Sequence, residues 1–270
     1  MLRKLRNLLS SEIDPAFSKR ADFIFTSIYR DKPKKVLDIG CGRGFYLWGM
    51  SQFNFLEEIH GIDKNNKYLE IAQKSNLDRR VRIKKGNIYK LPYKENYFDY
   101  VICSEVLEHL EEDKKALREV KRVLKRKGTL ILTVPNYDFP FFWDPLNWIL
   151  MRIFNTHINK DVWWIAGIWA DHIRLYQKKN LEDLVYSQRL KVIEFKSFIH
   201  YCIPFTHFIL YGIGKNLIEK LGLDTFSRFN YQKGIFVKIT AKIFRMPSQF
   251  DNEELLKSSS MNILVKVAKL

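Results

Sequence analysis

Two patterns of apolar residues alternate along the chain, one typical of buried strands and the other typical of helices. Short apolar runs predict seven strands, and apolar residues three or four positions apart predict helices between them. The predicted strands are KKVLDIG, EIHGID, VRIKKGN, FDYVICS, TLILTVP, LKVIEFKSF and GIFVKITAKIF. The predicted helices lie around residues 16–29, 45–53, 68–72, 113–127 and 181–188. This alternation predicts an α/β fold with a doubly wound, mostly parallel seven-stranded sheet, helices on both faces, and ligands at the carboxyl ends of the strands.

Glycines occupy every second position in VLDIGCGRG, directly after the first predicted strand. Glycine lets a chain bend sharply while its backbone lies close to a ligand, so the turn is predicted to cradle one. The alternative is a strand-to-helix turn that only needs positive φ. Asp63 follows the second predicted strand, where a doubly wound sheet places an acid next to a ribose diol. The dinucleotide fingerprint has two residues before its third glycine, and this turn has one, which favours a nucleoside cofactor without a pyrophosphate.

Composition narrows the class of protein. With 270 residues, 46% of them hydrophobic, the chain suits one domain with insertions. The net charge of +16 suits nucleic acid, an anionic membrane surface or simply solvated helix faces. The three cysteines form no Cys-x-x-Cys pair, so we expect neither a disulfide framework nor a cysteine-rich zinc site, and no metal ligands are predicted. The segment MLRKLRNLLSSEIDP lacks the continuous apolar core of a secretory signal, which predicts a cytoplasmic protein.

Several segments together resemble one family, the class I S-adenosylmethionine-dependent methyltransferases of the small-molecule group, with a type 11-like domain. The resemblance covers residues 35–136 and resumes at residue 172. It implies a Rossmann-like methyltransferase fold and S-adenosylmethionine as the cofactor, and it says little about the substrate. The segments that carry it are VLDIGCGRG, GIDKN, GNIYKLPYKENYFDYVICSEVLEHL, EVKRVLKRKGTLILTVPN and HIRLYQKKNLEDLV.

The resemblance implies a role for each residue near the glycine turn. Asp38 is expected near the methionine ammonium group of the cofactor, Gly40 and Gly42 beneath its sugar and methionine part, and Asp63 on the ribose hydroxyls. The alternative for Asp38 is that its carboxylate only fixes the turn. The full set of predicted cofactor residues is Asp38, Gly40, Cys41, Gly42, Gly44, Asp63, Lys64, Asn87, Ile88 and Cys103.

The remaining cofactor residues surround the predicted adenine site. Lys64 is expected beside the adenine, and Asn87 with Ile88 at its edge; Lys64 could instead be solvated, and Ile88 could belong to the core. Asn87 stands where the family often has an aspartate, but its carbonyl oxygen can still accept a hydrogen bond from the adenine amino group. Cys41 and Cys103 are interpreted as packing residues in the pocket wall rather than nucleophiles.

Two histidines are the candidate general bases for methyl transfer. The sulfonium already activates the methyl group, so the protein mainly aligns the acceptor and removes its proton. His109 in SEVLEHL and His172 in ADHIRLY can accept a proton near physiological pH. The alternative is that either histidine only forms hydrogen bonds within the domain. Glu105 and Glu108 are not assigned a role.

The expected organisation is one methyltransferase domain over residues 1–245 and a C-terminal tail over 246–270. Apolar, aromatic-rich insertions at residues 137–171 and 199–232 are expected to form a lid over the methyl group. No transmembrane span is predicted from the apolar segment 197–214. The lid could contact an anionic membrane peripherally, or it could be buried and touch no lipid.

These observations predict a methyltransferase that acts on a small or lipid-like acceptor, with oxygen favoured over carbon as the methylated atom. A nucleic-acid methyltransferase is the alternative that would use the positive charge. It is disfavoured because CSEVLEHL replaces the Asn/Asp-Pro-Pro-Tyr loop of base-amino methylation. A nicotinamide oxidoreductase is disfavoured by the glycine spacing. A non-catalytic protein that binds S-adenosylmethionine stays open.

Overall fold

The sheet of the protein has the predicted α/β architecture. The computed structural model describes residues 2–162, 165–215, 234–251 and 259–270. They form a seven-stranded sheet of order β3-β2-β1-β4-β5-β7-β6, in which only β7 runs antiparallel to its neighbours. The doubly wound, mostly parallel sheet is therefore confirmed. The strands are β1 Lys35–Ile39, β2 Glu58–Asp63, β3 Val81–Lys85, β4 Phe98–Ser104, β5 Leu124–Pro135, β6 Leu190–Phe198 and β7 Asn262–Lys269.

Helices cover both faces of this sheet. The second helix shows why they begin where they do: Asp14 caps it by accepting a hydrogen bond from the Phe17 amide at 3.0 Å, and Pro15 occupies its first turn. Short 3₁₀ turns lie at Leu107–His109, Gly167–Trp169 and Pro247–Phe250, and a π-helical segment spans Phe208–Lys215. The α-helices are α1 Leu2–Leu9, α2 Pro15–Asp31, α3 Phe45–Ser51, α4 Asn66–Ser75, α5 Asp113–Val123, α6 Pro145–Ile153, α7 Lys178–Ser187 and α8 Ile235–Arg245.

Side chains of the central strands alternate between two apolar cores. Val36 packs in the core with α1, α2 and α3, whereas Leu37 and Ile39 pack in the core with α5 and α7. Successive side chains of a strand point to opposite faces, so a strand buried on both faces is a continuous apolar run. The two cores fix β1 and β4, whose carboxyl ends carry the candidate site.

Two predictions at the C-terminal end were wrong. The segment predicted as a seventh strand is helix α8, which buries Val237 and Ala241, four positions apart. The real seventh strand, β7, lies inside the predicted tail, between β5 and β6. The domain boundary at residue 245 is therefore wrong as well, because the sheet needs residues 262–269. Helix α5 also ends at Val123, four residues earlier than predicted, because β5 begins at Leu124.

The described parts of the two insertions pack together. A third apolar cluster joins Phe139 and Trp143 of the first insertion to Ile199 and Cys202 of the second. The Phe205 amide donates a hydrogen bond to the Phe142 carbonyl oxygen at 2.8 Å. The predicted lid over residues 216–232 lies outside the described residues. Among the described helices, none combines the length and apolar character that crossing a membrane requires.

Candidate cofactor and acceptor site

The glycine turn after β1 is tied to the end of β2. The amides of Gly40 and Cys41 both donate to the Ile62 carbonyl oxygen, at 2.8 and 3.0 Å. The Gly42 amide donates to the Asp63 carboxylate at 2.9 Å. These bonds bring the turn and the predicted ribose-binding acid together.

The three glycines of the turn all have positive φ, but their surroundings differ. A Cβ on Gly40 would lie 2.5 Å from Val106, and one on Gly44 would lie 2.6 Å from Asn76. A Cβ on Gly42 would meet no described heavy atom within 4 Å. Gly40 and Gly44 are therefore required for packing within the protein. Gly42 borders open space beside Asp63, as a cofactor cradle requires.

The Asp63 carboxylate is held in place by two backbone amides. Its Oδ1 accepts from the Asn65 amide at 2.8 Å and its Oδ2 from the Gly42 amide. A carboxylate has about four lone-pair sites, so it can still accept two hydroxyl hydrogen bonds. Lys64, next along the chain, is exposed.

Asp38, in β1, is only 1% exposed, and its Oδ2 has no hydrogen-bond partner in the described part of the chain. Burial, and then the charge of Asp63, raises the pKa of the Asp38 carboxyl well above its ordinary value. Buried polar atoms are nearly always hydrogen-bonded, so an orphaned carboxylate oxygen beside a ligand cradle fits an ammonium group of the ligand.

The predicted adenine edge follows β3. The Gly86 amide donates to the Asp63 carbonyl oxygen at 3.0 Å, which tethers this loop to the ribose side. Asn87 is exposed, and its Oδ1 accepts from the Tyr89 amide at 3.0 Å. Ile88 is buried in the core around α5, as its alternative assignment predicts.

The two predicted cysteines are packing residues. Cys103 is fully buried in β4, and Cys41 lies beneath Gly61, where a Cβ would be 3.0 Å from its Sγ. Burial, first of all, raises the pKa of both thiols, so neither is an activated nucleophile. A contact of either side chain with the cofactor stays a prediction.

The residues after β4 stand directly beside the glycine turn. Ile39 of β1 pairs in register with Cys103 of β4, so the two strands end at the same edge of the sheet. Glu105 follows with a φ of 56°, and Val106 then lies over Gly40. This segment therefore forms the wall between the cofactor turn and the lid.

A polar network that the sequence did not reveal holds Glu105. Its carboxylate accepts from the Thr133 hydroxyl at 2.9 Å and the Asn262 amide at 3.2 Å, and it pairs with Arg20 at 3.4 Å. Arg20 is buried and also donates to the side-chain Oδ1 of Asn262 at 3.1 Å. Burial lowers the pKa of Arg20, but Glu105, together with smaller contributions from Tyr46, Asp14 and Tyr211, outweighs it and the net shift is upward. Because these residues come from α2, from the segment after β4, and from β5 and β7, no local motif could have grouped them.

The two candidate bases lie side by side. The imidazole centroids of His109 and His172 are 4.9 Å apart. Burial, and then His109, lowers the pKa of His172 to about 4, so this imidazole is neutral at physiological pH. Glu108 is fully buried next to them, and burial, followed by the charge of Glu105, raises the pKa of its carboxyl well above its ordinary value. The sequence prediction had left Glu108 without a role.

Comparison with known proteins agrees with this geometry. Residues 37–132 match the sequence model of the methyltransferase domain family. An uncharacterized protein of Methanocaldococcus jannaschii, MJ0638, is 36% identical over 135 residues, 48% of this chain and 54% of that protein. The demethylmenaquinone methyltransferase of Thermotoga maritima is 32% identical over 128 residues, 47% of this chain and 54% of that protein. The aligned chain thus spans about half the length of these curated relatives.

Solved structures show the same fold. The [4+2]-cyclase SpnF is similar with a TM-score of 0.57 and 18% identity, over 93% of this chain and 80% of that one. The YcgJ protein of Bacillus subtilis is similar with a TM-score of 0.52 and 17% identity, over 92% of this chain and 94% of that one. The fold and the cradle define a protein of the Rossmann-like class that binds a nucleoside cofactor. Residues 37–132 match the methyltransferase domain family, and the fold is that of class I S-adenosylmethionine-dependent methyltransferases.

S-adenosylmethionine, the cofactor of this family, fits the residues present. The orphaned Asp38 oxygen suits its ammonium group, and the Asp63 carboxylate suits its ribose diol. The open space at Gly42 lies next to both acids.

Proposed function

We propose that the protein transfers the methyl group of S-adenosylmethionine to a hydroxyl group of a small, lipid-like acceptor. The observation that carries this proposal is the adjacency of two features. An open cradle lies after β1 and β2, and a pair of imidazoles with a buried carboxylate lies after β4. A methyl donor and a proton acceptor have to meet at such a boundary for in-line transfer to oxygen.

The bound cofactor would supply the activated methyl group, and the chain would supply orientation. Asp38 would fix the methionine end and Asp63 the ribose, so that the sulfonium faces the segment after β4. His172 is neutral at physiological pH, so it can accept a hydrogen bond from the acceptor hydroxyl. His109 would orient the same hydroxyl group.

The names of two relatives favour a lipid-like acceptor with a hydroxylated ring. One is the demethylmenaquinone methyltransferase of Thermotoga maritima. Another is the rice 2-methyl-6-phytyl-1,4-hydroquinone methyltransferase, which is 29% identical over 150 residues. An apolar acceptor of this kind would reach the site through the lid. Oxygen is proposed over carbon as the methylated atom because the neutral imidazole of His172 can accept a hydrogen bond from an acceptor hydroxyl.

The outer surface of the first insertion supports access from a membrane. Large apolar side chains on and before α6 are exposed, and three of them recur on one face of the helix. We call this surface the α6 apolar face. It consists of Phe141, Phe142, Leu146, Ile149, Ile153 and Phe154. Together with the net charge of +16, it suits peripheral contact with an anionic membrane.

A methyl-transfer assay with labelled cofactor tests the proposed function. The acceptors are a hydroquinone with a prenyl tail, the same hydroquinone without the tail, and tRNA. We expect transfer to the hydroquinones, faster with the tail, and a methyl ether in the product by mass spectrometry and NMR.

Three outcomes would contradict the proposal in different ways. Transfer to tRNA alone would establish a nucleic-acid methyltransferase. A methyl group on ring carbon would refute the choice of oxygen. Cofactor binding by calorimetry without transfer to any of the three acceptors would favour a non-catalytic binding protein.

A further inference from the structure

Glu108, His109 and His172 have the ligand types of a metal centre, and we call them the Glu–His–His cluster. One ligand atom from each lies within 4.8 Å of the others. We propose that this cluster binds a first-row divalent metal ion such as Zn²⁺ or Mn²⁺, which holds the hydroxyl of the methyl acceptor. The role in catalysis rests on the proposed function; the binding of the ion does not.

Hydrogen bonds from the rings fix the tautomer that a metal ligand needs. Nδ1 of His109 lies 2.8 Å from the Asp171 carbonyl oxygen, and Nδ1 of His172 lies 2.5 Å from the Ile168 carbonyl oxygen. A carbonyl oxygen can only accept, so each ring donates from Nδ1, and this leaves Nε2 as the nitrogen that can bind a metal ion. Metal-ligating histidines almost always donate their second ring N–H in this way.

The buried carboxylate of Glu108 lacks a partner. The residue is 0% exposed, and neither of its carboxylate oxygens has a hydrogen-bond partner among the described residues. The His109 Nε2 is 3.9 Å from Oε1, beyond hydrogen-bond distance. Burying an unpartnered carboxylate is costly, and a cation between the carboxylate and the imidazoles would remove that cost.

Glu105 does not compete for the same ion. Its carboxylate is occupied by Arg20, Thr133 and Asn262. The cluster therefore offers one carboxylate and two imidazoles. This mixed set suits zinc, manganese and similar ions better than magnesium or calcium, which prefer oxygen ligands alone.

The place of the cluster in the fold gives the ion a role. Glu108 lies two residues after Val106, which covers Gly40 of the cofactor turn, and His172 ends the first insertion. Three protein ligands leave coordination positions open, and an acceptor hydroxyl can occupy one. A divalent ion lowers the pKa of a bound hydroxyl, as it does for bound water.

Methyl transfer is then a single displacement at the methyl carbon. The acceptor O–H bond breaks and its proton passes to solvent. A lone pair of that oxygen forms the bond to the methyl carbon, and the carbon–sulfur bond breaks with its electrons on sulfur. S-adenosylhomocysteine and the methyl ether leave. In this proposal the ion replaces the imidazoles as the group that activates the acceptor hydroxyl, and the imidazoles act as its ligands rather than as bases.

Metal binding is measured first, without any assay of activity. The full chain is stripped with a chelator and titrated with Zn²⁺ and with Mn²⁺ by calorimetry, and Co²⁺ is added for its visible absorption bands. We expect one ion per chain at this site. Glu108→Gln, His109→Gln and His172→Gln should each weaken binding about 100-fold or more, since even partners outside the ligand set cost 10- to 100-fold.

His157→Gln is the matched control. His157 also lies in the first insertion and its Nδ1 is also within 2.9 Å of a backbone carbonyl, that of Ile158, but it stacks on Trp169 outside the cluster. Its metal affinity should equal that of the unmodified chain. Equal affinity in all four variants would overturn the proposal. If Glu108→Gln fails to fold, His109→Gln tests the proposal instead. The side chain of His109 is 35% exposed, so its replacement should leave the fold intact.

An assay of methyl transfer tests the catalytic role of the ion separately from the proposed function. Methyl transfer that continues undiminished in the stripped protein would overturn the metal role and leave the proposed function intact. Tight metal binding without methyl transfer to any acceptor would leave the metal site intact and overturn the proposed function. Affinity for S-adenosylmethionine should be the same in all variants, because none of them belongs to the cradle.

Discussion

Gly42 and Gly44 share a backbone conformation but differ in what surrounds them, and the pair separates a ligand role from a packing role. Both have positive φ, at 52° and 83°. Gly42→Ala should lower the free energy of unfolding by only about 1 kcal/mol, the cost of left-handed backbone, and weaken cofactor binding at least tenfold. The added methyl group of Gly44→Ala would collide with Asn76 and Ala72. This variant should therefore lower the free energy of unfolding by about 1–3 kcal/mol more than Gly42→Ala does. Urea unfolding and calorimetry measure both quantities. Gly42→Ala with unchanged cofactor affinity would mean that the turn only satisfies backbone geometry.

Asp63 carries the most direct prediction about the cofactor. Asp63→Ala removes the acceptor of two ribose hydroxyl hydrogen bonds and should weaken S-adenosylmethionine binding by about 1.5–3 kcal/mol. The exposed residue Lys67 of α4 is the control, since Lys67→Ala leaves both backbone bonds of Asp63 in place and Lys67 is not a predicted cofactor residue. Calorimetric titration measures both variants. Unchanged affinity in Asp63→Ala would remove the acid from the ribose site.

At this scale the sequence predicts the cofactor side better than the acceptor side. Gly42 and Asp63 are recognisable because each lies at the carboxyl end of a strand, and the topology brings strand ends together. Arg20 and Asn262 could not be grouped from the sequence, since they are 242 positions apart and meet only in the folded protein. The proposed metal site was not predicted because its ligands are carboxylate and imidazole rather than paired cysteines, and His172 lies 63 positions after His109.

At the scale of elements, the wrong strand assignment has a definite cause. GIFVKITAKIF is rich in β-branched and aromatic residues, which favours a strand. Its lysines, Lys238 and Lys242, are four positions apart, and so are the buried Val237 and Ala241, so the helical period is also present. The β propensity of this segment favours a strand, whereas the spacing of its apolar residues favours a helix. Burial of one side of the segment in the folded protein favours the helix. By contrast, β7 is buried on both faces between β5 and β6.

The start of β2 carries a charge network whose effect depends on pH. Glu58 pairs with Lys35 of β1 at 2.6 Å and accepts from the Tyr97 hydroxyl at 2.7 Å, and His60 lies 3.0 Å away. Burial opposes ionisation of Glu58, but these partners outweigh it and lower its pKa from 4.5 to about 2. A carboxyl whose pKa is lower in the folded state stabilises the fold above the unfolded pKa. That contribution is lost as the pH falls from about 4.5 to about 2.

Glu58→Gln tests this network. At pH 7 we expect the free energy of unfolding to fall by about 2 kcal/mol, less than the full pKa shift implies because the side chain is partly exposed. The difference from the unmodified chain should shrink below pH 4.5. Glu57→Gln is the control, because Glu57 and its partner Lys34 are both well exposed. Urea unfolding at several pH values measures both; a pH-independent difference for Glu58→Gln would contradict the prediction.

At the scale of the whole molecule, the proposed function gives the insertions the role of admitting the acceptor. Their described parts share an apolar cluster, so they form one body above the sheet edge. The α6 apolar face lies on the outside of this body. The sequence predicted that the insertions are apolar, but which side chains are exposed depends on packing: Trp143 is fully buried, whereas Phe142, one residue earlier, is 51% exposed.

Flotation with liposomes distinguishes a lid that contacts membrane from a lid closed over a soluble acceptor. If the α6 apolar face meets lipid, the protein should float with anionic vesicles more than with neutral ones, and less as salt screens its charge. Phe142→Ser with Phe154→Ser should reduce flotation and activity on a tailed acceptor while cofactor affinity and stability stay the same, because both side chains are exposed. Tyr186→Ser, an exposed aromatic on α7, is the control.

Trp148→Ser, in α6, is expected to lower stability, unlike the substitutions of the exposed phenylalanines. Trp148 packs against Phe141, with ring centroids 5.3 Å apart, and under the Arg152 guanidinium at 4.5 Å. Its loss should lower the free energy of unfolding, whichever acceptor the protein uses. If the lid closes over a soluble acceptor, the protein stays at the bottom of the gradient at moderate salt and the Phe142/Phe154 variant behaves as the unmodified chain. That result would refute the membrane contact and leave an apolar face that serves only the acceptor's tail.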